Sequence, residues 1–384
     1  MTPQPLRLAK RYFSLFRQCL SDFPMHRDFA HRGFGQLGNN VREQARLLRY
    51  SGISAEDYFN LGLYDAEMPF DAKRSFLGSF DKWRVFDSMT PAVYDILARD
   101  KAVFHLLADA LDIRTPVTLA TTAPGTKPGY ALHLPTTDAV RAFLGETNAS
   151  DLFFKPVDGS LGEGAFALGH LDADAEQWEE LPEKRRINAD GVIERLMVAG
   201  QLGRFLIQRR LTPHVETSKI VPDVCLTVRL MTLMVHSEPV ILGAALRIGS
   251  GRTATDNIAG GGLAAPIELA TGHIERVMCL DRGIPEEVQK HPVTGKPIEL
   301  NVIPDWEEVK TLALESARKI NFIRCIAWDI GITNDGPVII EINNRPKCIS
   351  IQTGRSRGLL GGPLGAELAR RNGLLDCGLI LSLA

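Results

Sequence analysis

The chain has 384 residues, of which 45% are hydrophobic and 23% are charged, and its formal net charge is -2. These values are typical of a large globular protein with two or three domains. A net charge so close to zero excludes the basic overall surface that bulk nucleic-acid binding requires. The six cysteines contain no CxxC pair, and every long apolar run is interrupted. We therefore expect a cytoplasmic protein with no disulfides, no zinc site and no membrane insertion.

Residues 1–99 are polar and carry the pattern of helices. Phe13, Phe16 and Leu20 recur at helical spacing, and Arg42 to Tyr50 has the pattern of a second helix. The region contains little strand signal. The sequence predicts a helix-rich N-terminal region whose role stays open.

The pattern changes at Asp100, which is a suitable N-cap for a helix in which Phe104, Leu107 and Leu111 share one face. Lys101 lies in the first turn of that helix, where the macrodipole disfavours a cation. Either Lys101 is simply exposed to solvent or it meets an anion there, and the sequence alone leaves both interpretations open.

A lysine and a glycine-rich loop follow in the next predicted hairpin. Lys155 lies in the β-prone run Leu152 to Val157, and the loop Asp158 to Gly164 comes directly after it. Glycines allow backbone amides to approach phosphate oxygens closely, and the lysine supplies a positive charge. The hairpin can thus close over a nucleotide as a flap, or it can be an ordinary flexible hairpin with an edge lysine.

Arginines interrupt two long apolar strands further along the chain. The strand Arg204 to Leu211 ends in polar residues, as interdomain hinges do. Arg229 and Arg247 then lie in the predicted strands 226–235 and 240–248. Because a buried arginine is costly without an anionic partner, we expect both to meet an anion. A second glycine-rich loop, 255–262, can bring Asn257 to the same anion.

Oxygen ligands lie on the two strands of a predicted hairpin near the C-terminus. Asp329 is on the first strand, and Glu341 and Asn343 are on the second. Strand geometry places Glu341 and Asn343 on one face, with Ile340 and Ile342 pointing into the core. Mg²⁺ prefers hard oxygen donors that it shares with nucleotide phosphates, so the hairpin predicts an ATP site. The alternative is a strand end with solvated polar residues.

Four cations follow this hairpin closely in sequence: Arg345, Lys347, Arg355 and Arg357. They can bind an acidic substrate or form a solvated basic loop. Cys348 lies among them without a partner pattern of His and Asp, which favours an inert thiol.

Between about Asp100 and Gln352, the order of these elements resembles the ATP-grasp superfamily. Its members bind ATP between two α+β subdomains. The sequence is most similar to the branch related to glutamate ligases, which includes the sugar-transfer-associated ATP-grasp proteins. The resemblance implies an α+β ATP-grasp fold with an N-terminal helix-rich extension, divided into residues 1–99, 100–210 and 211–384.

The resemblance also implies a role for individual residues. It implies that the ATP phosphates are contacted by Lys101 and Lys155, and that the flap is formed by Gly159, Ser160, Gly162 and Gly164. The nucleoside would be bound by Gln208, Arg209 and Leu211 at the adenine edge, with Glu216 or His214 at the ribose. The magnesium ligands would be Asp329, Glu341 and Asn343. The transferred phosphoryl group or an acylphosphate would be steadied by Arg229, Arg247 and Asn257.

One position departs from the pattern of the related glutamate ligases. They often have an acidic residue two positions before the first arginine, where this chain has Thr227. The orientation of Arg229 and the substrate class are the features that this departure affects.

The chemistry implied is ATP-dependent ligation with two Mg²⁺ ions. The γ-phosphoryl group of ATP would activate a small-molecule or peptide-like carboxylate as an acylphosphate, which an amine attacks to give an amide, ADP and phosphate. A kinase that phosphorylates a hydroxyl on the same scaffold is the first alternative. A nucleotide-binding regulatory protein without turnover is the second, and the complete set of lysines and metal ligands argues against it. The oligomeric state stays open.

Overall fold

A computed structural model of the protein describes residues 4–80, 82–124, 131–146, 151–159, 162–172, 177–256, 262–280 and 284–370. Within these ranges, helices dominate up to residue 110 and two large sheets follow. Two residues with predicted roles, Ser160 and Asn257, lie outside the described residues, as do Gly260 and Gly261. No described helix is both long enough and apolar enough to cross a membrane.

The N-terminal region is helical, as predicted, and its described residues contain no strand. Its helices are α1 (Gln4–His31), α2 (Leu37–Ser51), α3 (Ala55–Asn60), α4 (Phe70–Lys73), α5 (Lys82–Asp87) and α6 (Ile96–Arg99). An aromatic core of its own holds this region together, and in it Phe29 stacks on Phe59 with ring centroids 3.9 Å apart. Ser54 and Asp57 form a capping box that starts α3.

The first sheet has seven strands in the order β2-β1-β9-β3-β4-β5-β6, and all neighbours are antiparallel except the parallel pair β1 and β2. Its strands are β1 (Thr118–Thr121), β2 (Leu132–His133), β3 (Leu152–Pro156), β4 (Phe166–Asp172), β5 (Gln177–Leu181), β6 (Arg185–Asn188) and β9 (Phe205–Arg209). The associated helices are α7 (Lys101–Ala110), α8 (Thr137–Glu146) and α9 (Ala189–Leu196), and a small hairpin consists of β7 (Met197–Val198) and β8 (Gln201–Leu202).

The second sheet also has seven strands, all antiparallel, in the order β14-β13-β12-β11-β10-β15-β16. Its strands are β10 (Thr227–Val235), β11 (Glu238–Ile248), β12 (Leu263–Pro266), β13 (Met278–Cys279), β14 (Glu286–Glu287), β15 (Cys325–Gly331) and β16 (Val338–Asn343). The remaining helices are α10 (Val215–Ser218), α11 (Trp306–Lys319), α12 (Ile349–Gln352) and α13 (Pro363–Arg370). All strands of the first sheet precede residue 210 in the sequence, and all strands of the second sheet follow it. The domain boundaries remain a prediction.

Both faces of the second sheet are covered. Strand alternation sends Ile326, Trp328 and Ile330 of β15 into the main core, where α11 packs. The opposite face carries Cys325 and, on β10, Met231, which pack with apolar residues of α5, α12 and α13. Asp329 is four residues after Cys325 on the same strand, so it lies on this second face. It lines a cleft together with residues of the helical N-terminal region.

Three local predictions are confirmed and one is wrong. Asp100 caps α7 by accepting a hydrogen bond from the Val103 amide (3.0 Å), and the Lys155 hairpin and the Asp329–Glu341 hairpin both form. Ile340, however, does not point into the core. The register shifts between Asp329 and Ile330, so Ile340 is the extra residue of a β-bulge and lines a cleft, while Ile339 takes the core position.

Candidate active site

A cleft of about 770 Å³ is lined by strands of both sheets, by the N-terminal region and by α12. It brings together most of the residues that the sequence singled out. Those that line it are Lys101, Lys155, Gly159, Gly162, Gln208, Arg209, Leu211, Arg229, Arg247, Asp329, Glu341 and Asn343. Gly164 and Glu216 do not line the cleft, and the Glu216 carboxylate pairs with Lys219 at 2.7 Å.

A row of charges crosses three adjacent strands of the second sheet. Arg229 on β10 lies opposite Asp329 on β15, which in turn lies opposite Glu341 on β16. Arg229 donates from Nε to Asp329 Oδ1 at 2.8 Å and from Nη2 to Oδ2 at 2.7 Å. Arg247 Nη1 adds a third hydrogen bond to Oδ2 at 3.0 Å. The two buried arginines therefore meet an anion, as expected, and that anion is Asp329.

The two carboxylates of this row have opposite pKa shifts. Burial acts to raise the pKa of Asp329, but the charges of Arg229 and Arg247 outweigh it and lower the pKa to about 2. Burial raises the pKa of Glu341, and the facing Asp329 carboxylate raises it further. Lys101 and Lys155 act to lower the Glu341 pKa, so Glu341 is influenced by the lysines while Asp329 is paired with the arginines.

Asp256 is a member of this cluster that the sequence did not reveal. Its Oδ2 accepts a hydrogen bond from the Thr227 amide at 2.9 Å and another from Thr227 Oγ1, and its Oδ1 lies 3.3 Å from Arg247 Nη2. Thr227 is the position where related ligases often have an acidic residue. Asp256 brings a carboxylate to that place from a neighbouring loop, and its position next to Asn257 was the available signal.

His105 is a second residue that sequence reasoning missed. It lies on α7, one turn after Lys101, and is 2% exposed. Its Nε2 lies 3.0 Å from Lys155 Nζ and 3.3 Å from Gln208 Nε2. Both neighbours are donors, so His105 Nε2 is the acceptor and the ring is neutral. Burial lowers the His105 pKa well below its usual value, and the Lys155 charge lowers it further.

Lys155 is buried at the junction of the two sheets. Its Nζ also donates to the Ile340 carbonyl at 3.2 Å, which the β-bulge turns towards the first sheet. Burial lowers the pKa of Lys155 to about 7; Glu341 opposes this shift and Lys101 adds to it. An anionic ligand next to Lys155 would favour the charged ammonium form.

The glycine-rich loop after Lys155 touches both sides of the cleft. Lys101 Nζ donates to the Gly159 carbonyl at 3.0 Å. Gly162 has a φ of 71°, and a Cβ at this position would come within 2.5 Å of Thr255 Oγ1. The loop therefore lies close to the loop that carries Asp256, in the place that a flap over the cleft would occupy.

Two of the four cations after the hairpin line the cleft. Arg345 does so while paired with Asp87 and Asp95, and Lys347 is exposed. Arg355 instead donates to the carbonyls of Ala244 (3.1 Å) and Ile267 (3.3 Å), which makes its role structural. Arg357 does not line the cleft.

The hairpin fits a magnesium ion by the chemistry of its donors. Asp329, Glu341 and Asn343 offer two carboxylates and one carboxamide oxygen at one end of the cleft, and all are hard ligands. Within the described ranges, no three side chains of His, Cys, Asp and Glu come together as a metal cluster. An ion held here would take the Asn343 oxygen as its third protein ligand, and phosphate oxygens and water would complete the set.

Two sheets that close on a cleft with this arrangement of lysines, arginines and carboxylates define an ATP-grasp protein. The sequence model of the family described as sugar-transfer associated ATP-grasp matches residues 89–363, and the chain belongs to this family. The N-terminal helices α1 to α5 precede the matched region. A comparison with curated proteins finds none with significant similarity.

Solved structures of ATP-grasp proteins are among those to which the chain is similar. The biotin carboxylase domain of Hydrogenobacter thermophilus 2-oxoglutarate carboxylase, in complex with MgADP and bicarbonate, matches at 14% identity over 71% of this chain and 48% of that chain, with a TM-score of 0.38. An ATP-grasp RimK domain protein of Sphaerobacter thermophilus matches at 15% identity over 74% and 69%, with a TM-score of 0.35. Phosphoribosylamine–glycine ligase of Thermotoga maritima matches at 13% identity over 64% and 47%, with a TM-score of 0.35. The chain spans about half the length of the first of these structures.

Proposed function

We propose that the protein is a magnesium-dependent ATP-grasp ligase that activates a carboxylate as an acylphosphate for attack by an amine. The observation that carries this proposal is the charge row of Arg229, Asp329 and Glu341, which faces the same cleft as Lys101 and Lys155. Positive charge from both sheets thus surrounds carboxylates suited to a metal. Phosphoryl transfer needs this combination more than it needs a nucleophilic side chain.

The nucleotide would lie across the cleft. Lys155 and Lys101 would bind its phosphates, since both amines reach the cleft wall beside the glycine-rich loop. Arg209 and Leu211 lie at and just after the end of β9, where the backbone would bind the adenine edge. The side-chain amide of Gln208 instead donates from Nε2 to Thr118 Oγ1 at 3.0 Å. The proposed ribose contact of Glu216 would require the breaking of its ion pair with Lys219.

Two Mg²⁺ ions are proposed, held by Glu341, Asn343 and Asp329 together with phosphate oxygens, and when bound they would neutralise charge on the transferred group. Asp329 would keep its bonds to Arg229 and Arg247, which position it. Arg229 and Arg247 in turn present positive charge to the oxygens of the phosphoryl group and of the acylphosphate.

The reaction proceeds in two displacements. A carboxylate oxygen of the substrate attacks the γ-phosphorus of ATP, and the bond from that phosphorus to the bridging oxygen of ADP breaks. The amine then attacks the carbonyl carbon of the acylphosphate, the bond from that carbon to the phosphate oxygen breaks, and the amine releases a proton. Closure of the glycine-rich loop 158–164, in which Gly159 contacts Lys101 and Gly162 lies beside Thr255, would exclude water from the intermediate.

The test is ADP release by the full chain, with Mg²⁺, pooled carboxylic acids and hydroxylamine as the nucleophile. An acylphosphate reacts with hydroxylamine to give a hydroxamate, which a phosphate ester does not. Carboxylate-dependent ADP with an equal amount of hydroxamate, lost in Glu341→Gln, is the expected result. ADP formed with alcohols and without hydroxamate would instead establish a kinase, and ATP binding without any ADP release would indicate a binding protein.

A further inference from the structure

The helical N-terminal region forms one wall of the cleft, although the family match begins only at residue 89. Hydrogen bonds fix it to the segment that follows the metal hairpin. Leu77 donates its amide to Gln352 Oε1 and accepts from Gln352 Nε2, both at 2.9 Å. Gly358 donates to Ser75 Oγ at 2.8 Å, and a Cβ at Gly358 would lie 2.3 Å from the Phe76 Cα. The wall is therefore tightly joined to α12.

Two buried polar atoms on this wall have no hydrogen-bond partner among the described residues. One is Asn60 Oδ1, at the end of α3, and the other is Ser350 Oγ, on α12. Both residues line the cleft. Asn60 is 8% exposed and Ser350 is 2% exposed. A buried polar atom without a partner is costly, so such atoms in a cleft wall indicate a ligand that would satisfy them.

A cation lines the same cleft as these two residues. Lys82 lines the cleft, is partly buried and forms no ion pair with the described residues. Burial lowers its pKa, and the charges of Lys347, Asp57 and Glu56 also act on it. Because Glu56 is four residues before Asn60, the two share one face of α3. Asp57 of α3 accepts hydrogen bonds from the amide and the hydroxyl of Ser79, both at 2.7 Å, and Lys82 follows Ser79 by three residues.

The helix that carries Lys82 packs near Ser350, because Val85 and Phe86 of α5 share an apolar cluster with Cys348 and Ile351. Burial raises the pKa of the Cys348 thiol to about 12, while the charges of Lys82 and Arg229 both act to lower it. The thiol is protonated and unreactive at neutral pH. Ser350 follows two residues later. Lys82, Ser350, Asn60 and Arg229 thus line one cleft.

We propose that Lys82, Asn60 and Ser350 form the subsite for the acceptor carboxylate, and that this substrate carries an N–H or O–H group on the carbon next to its carboxylate. The assignment rests on the carboxylate activation proposed above. The Lys82 ammonium pairs with the anionic carboxylate, and Ser350 Oγ donates to it. Asn60 Oδ1 can only accept, so the substrate has to bring a donor. Amino acids, 2-hydroxy acids and aldonic acids share this chemistry, whereas simple fatty acids and uronic acids in their ring form lack it.

The experiment compares matched carboxylates on the full chain. Mg²⁺-dependent ADP release is measured in the presence of hydroxylamine with alanine and lactate against propionate, with glycine and glycolate against acetate, and with gluconate. The donor-bearing acids are expected to have a KM about 10- to 100-fold below that of their plain partners. Equal KM values within the pairs, or no stimulation by any acid, would overturn the assignment of this substrate class.

Variants then test the residues. Lys82→Met is expected to raise the KM of every carboxylate at least about tenfold with the KM of ATP unchanged, and Lys82→Arg to restore part of the loss. Asn60→Leu is expected to remove the difference within each pair while plain acids keep their KM. Lys290→Met, at an exposed lysine outside the cleft, is the matched control and is expected to change neither constant. Unchanged carboxylate KM values in Lys82→Met and Asn60→Leu would overturn the proposal.

The two proposals fail in different ways. If acids stimulate ADP release with the predicted KM pattern but no hydroxamate forms, the subsite stands and the acylphosphate does not. If hydroxamate forms while the variants leave the carboxylate KM unchanged, the ligase stands and the subsite does not.

Discussion

Arg229 and Asp329 lie directly opposite each other on neighbouring strands, and the arginine binds both oxygens of the carboxylate, at 2.8 and 2.7 Å. Both side chains are largely buried, with 14% and 3% of their surfaces exposed. In such a site the geometry of each charge depends on its partner, because an unpaired buried charge is strongly disfavoured. The pair therefore sets the position of the carboxylate that the proposed metal would share.

Loss of this pair is expected to destabilise the fold as well as the site. Arg229→Met leaves the buried Asp329 with Arg247 alone, and we expect the free energy of unfolding in urea to fall by about 3 kcal/mol. Lys219→Met, which breaks the exposed pair with Glu216, is the control, with an expected loss below about 1 kcal/mol. Equal effects of the two substitutions would contradict the buried charge network.

His105 is expected to act as the acceptor for two buried donors. His105→Leu leaves Lys155 Nζ and Gln208 Nε2 without that acceptor, so the free energy of unfolding should fall by about 1 to 3 kcal/mol. ATP binding, measured by calorimetry, should weaken as Lys155 loses its position. His105→Gln retains an acceptor and should recover part of both losses. If His105→Leu is as stable as the wild type, the contacts of His105 with Lys155 and Gln208 do not stabilise the fold.

Protonation of Lys155 should be linked to nucleotide binding. Its pKa is about 7 in the ligand-free protein, so at pH 8 most molecules carry the neutral amine. The phosphates of the nucleotide favour the ammonium form of Lys155. Nucleotide binding at pH 8 should therefore be accompanied by the uptake of up to about one proton per site. Proton uptake should diminish below pH 7, because Lys155 is then already protonated in the ligand-free protein.

Calorimetry of MgATP binding in buffers of different ionisation enthalpy measures this uptake. Lys155→Arg, whose side chain stays charged, should lose it, whereas Lys101→Arg should retain it. Uptake at pH 8 that is the same in Lys155→Arg as in the wild type would assign the proton to another group.

Two glycines of the flap should respond differently to alanine. Gly159 and Gly162 both have positive φ values, 119° and 71°, so each substitution strains the backbone by about 1 kcal/mol. A Cβ added at Gly159 would have no atom within 4 Å. A Cβ added at Gly162 would lie 2.5 Å from Thr255 Oγ1. We expect Gly162→Ala to raise the KM of ATP by about tenfold and Gly159→Ala to raise it less. The reverse order in steady-state kinetics would argue against closure of this loop onto Thr255.

The sequence was sufficient for the parts of the site that strands carry. Asp329 and Glu341 could be paired because a hairpin with a short turn allows few registers, and alternation then fixes the face of each side chain. The exception was Ile340. A β-bulge leaves no clear mark in an apolar strand, and here it exposes a carbonyl to Lys155.

The remaining parts depend on contacts between distant segments. His105 meets Lys155 and Gln208 across 50 and 103 residues, and Leu77 meets Gln352 across 275. Local pattern carries no information at such separations. For the same reason the compensation of Thr227 by Asp256, and the place of the N-terminal helices in the cleft wall, became evident only in the folded structure.

The transfer of oxygen from substrate to phosphate is the measurement that tests the central claim most directly. A carboxylate that stimulates ADP release is labelled with ¹⁸O in its carboxyl group, and the released phosphate is analysed by mass spectrometry. An acylphosphate retains one carboxylate oxygen when the amine displaces it, so the account predicts one ¹⁸O atom in each phosphate released by amide formation. Phosphate without the label, formed at the same rate as ADP, would contradict activation of the carboxylate by phosphoryl transfer.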